Sequence, residues 1–454
     1  MSDGKPPDPS LCPPSHGYPP NKSSPTSWVL LDLYAYIADR ENATSARGKT
    51  SDGKAIQVTL CTAPPPLVSY ICVWCPDAEI AVAPTVEAAE ADLFLLRGAI
   101  GRYRHYFVYK ARGTQGPSLR LLEDPRRYFP LRYNFTLVPH SEVAPRGYLC
   151  RRTVDDDNFY VAALNQPRAL EPRNREISVF NSKDGKWSTT PFTVDGVRSH
   201  ITAKVISLGE GLLGFVDLWR GVIVCDVLGC KPPCFLQLPQ ELARFDLARN
   251  EPWLARDIAL VQGRLTVVNL GWILEQASIT GSKVSSWSRK VTDDWEEEWR
   301  MDYRLQSSDV LIDSNSDNRC SRLRDDEGRY QPSFANLYTA HPTLSLSDSR
   351  IVYIMGKVNS DDKKALVLSV DMRTPRLQGV AVFDAERMPG VNFSYTFTQS
   401  KIPKYFNMAP GISHTIGFII FSLPVLYVVS KRIGLLTTTA KEFGQRHEIW
   451  FNIS

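Results

Sequence analysis

The stretch that most constrains this chain is Leu212 to Leu228, which reads L-L-G-F-V-D-L-W-R-G-V-I-V-C-D-V-L. Two short apolar runs rich in β-branched residues flank a polar step, Trp219-Arg220-Gly221. That is the pattern of two strands joined by a tight turn. It speaks to architecture more than to chemistry.

Units of this kind recur. Ala55 to Leu60 is followed by Leu67 to Trp74, Tyr106 to Lys110 by Ser118 to Leu122, and Phe159 to Leu164 by Ile177 to Phe180. Phe215 to Leu218 is followed by Val222 to Val227, Leu265 to Leu270 by Lys283 to Trp287, and Ile351 to Val358 by Ala365 to Val370. A period of about 40 to 50 residues with several strands in each is that of a β-propeller blade. The expected fold is therefore all-β, a closed propeller-like array of short antiparallel strands of the kelch or F-box-associated kind. Gly185-Lys186-Trp187 and Val284-Ser285-Ser286-Trp287 resemble the aromatic that closes a blade in kelch-like repeats. Another all-β arrangement, a sandwich of stacked sheets, would show similar short strands and is the alternative. The best helical candidate is Thr85 to Arg97, which opens on a Thr cap and an acidic first turn.

The 454 residues carry 43% apolar and 22% charged side chains, the balance of a globular protein. A net charge of +4, with basic residues scattered among acidic ones, has none of the basic stripe that nucleic acid requires. Met1 to Ser27 hold eight prolines and no periodic apolar pattern, so residues 1–27 read as a disordered or polyproline-like arm. The folded unit is expected over 28–408, opening with the strand-like run Trp28 to Ile37. Residues 313–333 are polar and charged and read as a solvated loop insertion. Nine cysteines and an N-terminus without an apolar signal core point to reduced thiols in the cytoplasm or nucleus. The five Asn-X-Ser/Thr sequons are then chance matches.

Composition changes in residues 409–454. Ile412 to Val429 has no formally charged residue over eighteen positions, and Lys431 and Arg432 follow. That length is close to the minimum for the hydrocarbon core, which makes 412–429 a candidate C-terminal transmembrane helix. His414, Thr415, two serines and Pro424 fit equally well a buried hairpin turning at Pro424.

Several motifs resolve into structural readings. Gly209-Glu210-Gly211-Leu212-Leu213-Gly214 matches G-x-G-x-x-G, but Phe215 to Trp219 beyond it is strand-like. A dinucleotide site needs a helix there, so this is a turn between strands. Cys72-Val73-Trp74-Cys75 and Cys230-Lys231-Pro232-Pro233-Cys234 each offer two soft ligands, whereas structural zinc needs four converging. Cys72 and Cys75, three apart in a strand, point to opposite faces and read as buried thiols. No metal and no cofactor is expected. Asp155-Asp156-Asp157 and Asp361-Asp362 sit at apparent turns, where like charges are solvated.

Asp217 and Asp226 carry more weight, because each lies within an apolar strand where an ionised carboxylate needs a partner. Arg220 is the nearest one. These residues, with Trp219, are expected to pin the blade turn as an ion pair, or otherwise to contact a ligand. Trp295 and Trp299 flank three glutamates and would share a face if that stretch is a helical turn. Such a face could hold a cationic partner, although packing against the fold is the commoner use. Serine-nucleophile, Walker and kinase signatures are absent, so no catalytic residue is assigned.

The segments Trp28 to Asn42, Ile177 to Thr189 and Gly214 to Val227 resemble a plant family, expanded in grasses, known only as a domain of unknown function (number 1618). The run D-L-W-R-G-V-I-V-C-D-V is the most family-specific part, and the resemblance spans Trp28 to Met408. Some members look similar to propeller-like domains that accompany F-box modules, though no F-box pattern stands at this N-terminus. Beyond Met408 the chain departs from the basic, polar ending that the resemblance implies, as an alternative final exon or a gene-model error would produce.

The expected function is a non-enzymatic scaffold whose loops or top face bind another protein. The alternative is a propeller-type hydrolase acting on carbohydrate or ester substrates. A cluster of carboxylates in the central funnel would favour the hydrolase, and an apolar or aromatic surface patch the binder.

Overall fold

A computed structural model describes residues 12–18, 26–113, 116–122, 135–140, 158–165, 175–197, 199–242, 251–275, 278–291, 295, 297–311, 334, 337–358, 362, 364–384 and 397–406. The first sheet contains β1 (Val29–Asp32), β2 (Tyr36–Ile37), β3 (Ala46–Lys49), β4 (Ala55–Cys61) and β5 (Val68–Trp74). The second contains β6 (Val82–Glu90), β7 (Leu93–Ile100), β8 (Tyr103–Lys110) and β9 (Ser118–Leu122). The third contains β10 (Phe135–Pro139), β11 (Phe159–Asn165), β12 (Arg175–Asn181) and β13 (Lys186–Phe192). The fourth contains β14 (Lys204–Gly209), β15 (Leu212–Asp217), β16 (Gly221–Asp226) and β17 (Cys234–Gln237). The fifth contains β18 (Arg256–Val261), β19 (Arg264–Glu275), β20 (Ser278–Lys290) and β21 (Arg300–Gln306). The sixth contains β22 (Tyr338–Leu344), β23 (Ile351–Lys357), β24 (Lys364–Asp371) and β25 (Arg376–Asp384). A last strand, β26 (Phe397–Ser400), joins the first sheet.

Sheets two to six are four-stranded antiparallel meanders. The first is ordered β26-β1-β5-β4-β3, so its innermost strand comes from the far end of the chain. β1 pairs antiparallel with β26 from Val29↔Ser400 to Asp32↔Phe397, and parallel with β5 at Leu30↔Val68. Around the axis β6, β10, β14, β18, β22 and β26 are successive neighbours, and β26 meets β6 again. The result is a six-bladed β-propeller. The six strand pairs visible in the sequence fall one into each blade.

Each sheet is buried on both faces against its neighbours. Leu93, Leu95 and Tyr106 of blade two pack with Phe135, Leu137 and Val161 of blade three. Leu270 and Val284 of blade five pack with Leu344, Val352 and Ile354 of blade six. Trp28, Leu30 and Val68 of blade one meet Tyr353, Met355 and Phe397. Double burial explains the continuous apolar runs in the second and third strands. Trp287 is buried between blades four and five, and Trp187 on the outer β13 packs 5.3 Å from Phe180.

Thr85 to Arg97 is not helical. It spans β6 and β7, which reverse at Ala91, a residue with φ of 52°. An apolar run covered on both faces has no period of two, so Leu93-Phe94-Leu95-Leu96 mimics a buried helix segment. Glu87, the acidic residue of the supposed first turn, instead pairs with Arg97 at 2.8 Å. The G-x-G-x-x-G segment is a strand-to-strand turn, with Gly209, Glu210 and Gly211 all left-handed at φ of 91°, 55° and 80°. Gly221 is fixed by close approach, because a Cβ there would lie 2.3 Å from the Leu236 carbonyl oxygen.

Within the proline-rich arm, residues 12–18 lie against blade one rather than free of it. Tyr70 Oη donates to the Pro14 carbonyl at 2.9 Å, and the His16 ring reaches the Val68 carbonyl at 2.8 Å. Asp155 to Asp157, Asp361, the loop 313–333 and the apolar stretch 412–429 lie outside the described residues. Among the described residues no helix is long and apolar enough to cross a membrane.

Closure by β26 predicts the cost of weakening it. Phe397 is fully buried and packs 5.6 Å from Phe383 and 4.7 Å from His341. Phe397→Ala should destabilise the whole propeller by about 3–5 kcal/mol in a denaturant titration. A loss below about 1 kcal/mol would mean that the ring does not depend on this strand.

Candidate functional site

The inner strands start at one face of the ring, and in blades two to six the turn between the second and third strands returns to that face. We call it the entry face. Asp217 ends β15 there and is 1% exposed. Its Oδ1 accepts the Trp219 and Arg220 N–H groups at 2.9 and 3.1 Å, and its Oδ2 accepts Ile201 N–H at 2.9 Å. Arg220 Nη1 adds an ion pair at 3.0 Å. One carboxylate thus closes the β15–β16 turn and ties it to the segment entering β14. The Trp219 ring lies 4.6 Å beneath the Arg256 guanidinium, a cation–π contact. Arg256 itself is buried and donates to Asn269 Oδ1 and to the Leu218 and Leu242 carbonyls at 2.8, 3.0 and 2.8 Å.

Asp217, Trp219 and Arg220 therefore come together, and Asp226 does not join them. Asp226 lies at the other end of β16, where it accepts the Leu228 and Lys231 N–H groups at 2.8 and 3.2 Å. Arg220 reaches Asp217 rather than Asp226 because five residues of strand separate it from Asp226.

A second cluster surrounds the axis. Lys204 Nζ of β14 contacts Asp257 Oδ1 of β18 at 2.8 Å and Gln399 Oε1 of β26 at 2.9 Å. Asp257 Oδ2 accepts from the Gln399 amide and from Leu344 N–H of β22, the latter at 2.9 Å. His341 of β22 is left-handed at φ of 55° and packs on Phe397. Burial holds its imidazole down to about 4, against the opposing charge of Asp257. A lysine and an aspartate opening otherwise apolar strands, as in A-K-V-I-S-L and R-D-I-A-L, were the available sequence signal.

Below this clasp is a cavity of about 90 Å³, lined in part by Glu87, Glu90, Lys204, Ser207, Gln399 and Lys401. At roughly 10–15 Å³ each it has room for a small cluster of waters. Glu87 is consumed by Arg97 and Asp257 by Lys204. Glu90 is the other carboxyl among the described residues lining this cavity, raised by burial and opposed by the Lys401 charge.

The cysteine pairs do not converge. Cys72 and Cys75 are buried, Cys230 is exposed and Cys234 half-buried. Cys72 instead neighbours Cys61 across β4–β5, and its hydrogen bond, with Tyr70 and Arg40 nearby, brings the Cys61 thiol down to about 7. Among the described residues no group of three or more His, Cys, Asp or Glu could hold a metal. Trp295 and Trp299 do not share a helical face. Trp295 is left-handed at φ of 54°, and both rings pack onto the core between blades four and five. Trp299 Nε1 donates to the Gln237 carbonyl at 2.8 Å, while Glu297 binds Arg264 at 3.2 Å.

Two outcomes follow. Asp217→Ala strands three backbone donors and should cost about 3 kcal/mol in a denaturation curve. Arg220→Ala should cost under about 1 kcal/mol, since its side chain is 37% exposed and Asp217 keeps its backbone partners. The reverse order would contradict this account of the turn. His341 stays neutral in the folded state down to about pH 4, whereas the unfolded imidazole protonates near ~6.5. The unfolded chain then binds more protons in that window, so stability should fall as pH drops from about 6.5 towards 4, by up to roughly 3 kcal/mol. His341→Gln should remove that share, and an unchanged pH profile would refute it.

Among solved structures, the chain is similar to the WD40 domain of SCAP from fission yeast at 10% identity and a TM-score of 0.29, over 78% of this chain and 88% of that one. It is similar to YCF48 bound to D1 peptide at 9% identity and 0.31, over 79% and 85%. It is also similar to a GH43 endo-arabinanase from Bacillus licheniformis at 11% identity and 0.23, over 66% and 92%. These likenesses are too distant to carry a functional argument. No curated protein shows significant sequence similarity to the chain. Residues 215–353, which contain the Asp217 turn, Arg256, Asp257 and His341, match the model of a family described as a protein of unknown function, DUF1618, and that match supports membership in it.

Proposed function

We propose that this protein is a plant member of that family, acts as a non-enzymatic interaction scaffold and binds another protein on the entry face. The observation that carries this reading is how the funnel carboxylates are used. Asp257 and Glu87 are bound in ion pairs, so among the described residues these two channel carboxylates are not left free for the paired roles that hydrolysis of a glycosidic bond would use. The same face presents an apolar side chain, Ile201, 61% exposed and tethered through its N–H to Asp217. Trp253 and Trp219 are half-buried on that face. An exposed aliphatic beside partly buried aromatics and an arginine has the composition of a binding hot spot. Among the described channel residues, the hydrolase alternative would rest on Glu90.

The test compares two surface variants by quantitative proximity labelling in plant cells. Ile201→Asp alters the entry face, and Leu228→Asp alters an equally simple site, 45% exposed, at the opposite end of β16. Ile201→Asp should lose the wild-type partner set while Leu228→Asp keeps it, with both melting like wild type. Identical partner sets for all three proteins would overturn the entry-face assignment.

A further inference from the structure

Along its axis the fold leaves space that its own side chains do not fill. The cavity of about 90 Å³ below the clasp is lined by inner-strand residues of blades one to five. Glu90, the last residue of β6, and Lys401, directly after β26, stand at its end away from the entry face. Both are half-buried. Between that end and the clasp the wall presents the hydroxyls of Thr136, Ser207 and Thr398, beside the apolar Ala88, Ala89 and Phe135.

The other charges along this wall are committed within the protein. Lys204 holds Asp257 at 2.8 Å, and Glu87 holds Arg97 at 2.8 Å. Glu90 and Lys401 form no ion pair with each other or with another described residue. The Ala91 and Ser207 backbone groups support the Glu90 carboxyl, which leaves open part of the roughly four lone-pair positions that a carboxylate has. Burial raises this carboxyl, and the Lys401 charge acts against that. A carboxyl and an ammonium thus face one cavity with a gap between them, each partly withdrawn from water at a cost in free energy.

We infer that this cavity binds a small free α-amino acid, of the size of glycine, alanine or serine, with its ammonium on Glu90 and its carboxylate on Lys401. Size sets the upper bound. At roughly 10–15 Å³ per water-sized position the cavity takes roughly six to nine non-hydrogen atoms, too few for a nucleotide or an oligosaccharide. Charge sets the class. An anion alone would leave Glu90 without a counter-charge, an amine alone would leave Lys401 without one, and a neutral polyol would leave both. A zwitterion makes a charge-assisted hydrogen bond at each end and changes the net charge of the site by nothing. The three hydroxyls remain for its polar atoms, and Ala88, Ala89 and Phe135 border a short side chain. The site lies apart from the entry face and requires no partner protein.

The experiment is isothermal titration calorimetry of the purified full-length protein with glycine, L-alanine and L-serine at fixed ionic strength. Acetate and methylamine supply the two charged halves, glycerol a neutral molecule of similar size, and L-tryptophan an amino acid too large for the cavity. Wild type should give a saturable heat with at least one of the three small amino acids, and binding at least about tenfold weaker with every other probe. Glu90→Gln and Lys401→Met should each weaken that binding at least about tenfold while melting as wild type does. Leu228→Asp, in the exposed β16–β17 turn, should bind as wild type does. Should Glu90→Gln fail to fold, Lys401→Met decides alone, since it alters a half-buried side chain beyond the end of β26. No saturable heat with any of the three small amino acids, or unchanged affinity in Lys401→Met, would overturn the site. Acetate, methylamine or glycerol binding as tightly as the amino acids would overturn the zwitterion assignment, and tryptophan doing so would overturn the assignment to the cavity. The partner-set comparison at Ile201 reads the entry face and can fail without touching any of these outcomes.

Discussion

The structure depends on one carboxylate at the axis. Asp257 takes hydrogen bonds from Lys204, Gln399 and Leu344 N–H, and so joins the inner strands of blades four, five, six and one. A ring of sheets has no edge only if its first and last blades are held together. Here the strand that completes blade one, β26, arrives from the far end of the chain and has only four residues of ladder with β1. A buried ion pair is a weak source of stability in general, because desolvation offsets the Coulomb gain. Its value is registry. With Gln399 bound to Asp257 and to the Leu344 carbonyl, β26 enters the ring in one register.

The same economy of charge shapes the entry face. Asp217 satisfies three backbone donors, Arg256 satisfies two backbone carbonyls and an asparagine, and Glu87 holds Arg97. These buried charges, among the described residues, are spent on architecture. Against that background a buried guanidinium nitrogen of Arg175 without an acceptor among the described residues stands apart.

Legibility from sequence followed burial. Second and third blade strands such as Phe215 to Leu218 and Val222 to Val227 are covered on both faces, so their apolar runs were plain. Inner strands were not, because the channel side admits polar residues. Phe397-Thr398-Gln399-Ser400 has no apolar period, yet it closes the ring. The helical reading of Thr85 to Arg97 failed for the related reason that double burial erases alternation. At the site, an aspartate inside an apolar strand was enough to single out Asp217, and the Trp-Arg-Gly step supplied its neighbours. The same signal at Asp226 marked an ordinary turn cap instead, since sequence distance does not say which end of a strand a residue occupies. Arg175 and Gln399 had no local signal, because what distinguishes them is a partner, or the lack of one, from distant parts of the chain.

The most direct test of this account is a double-mutant cycle between Asp257 and Gln399, using Asp257→Asn, Gln399→Leu and the combined variant in equilibrium denaturation. If the axial clasp sets ring closure, the two losses should be coupled by about 1–3 kcal/mol, with a single cooperative transition in all four proteins. Additivity within about 0.5 kcal/mol would contradict it, and would mean that the propeller closes through β26 packing alone.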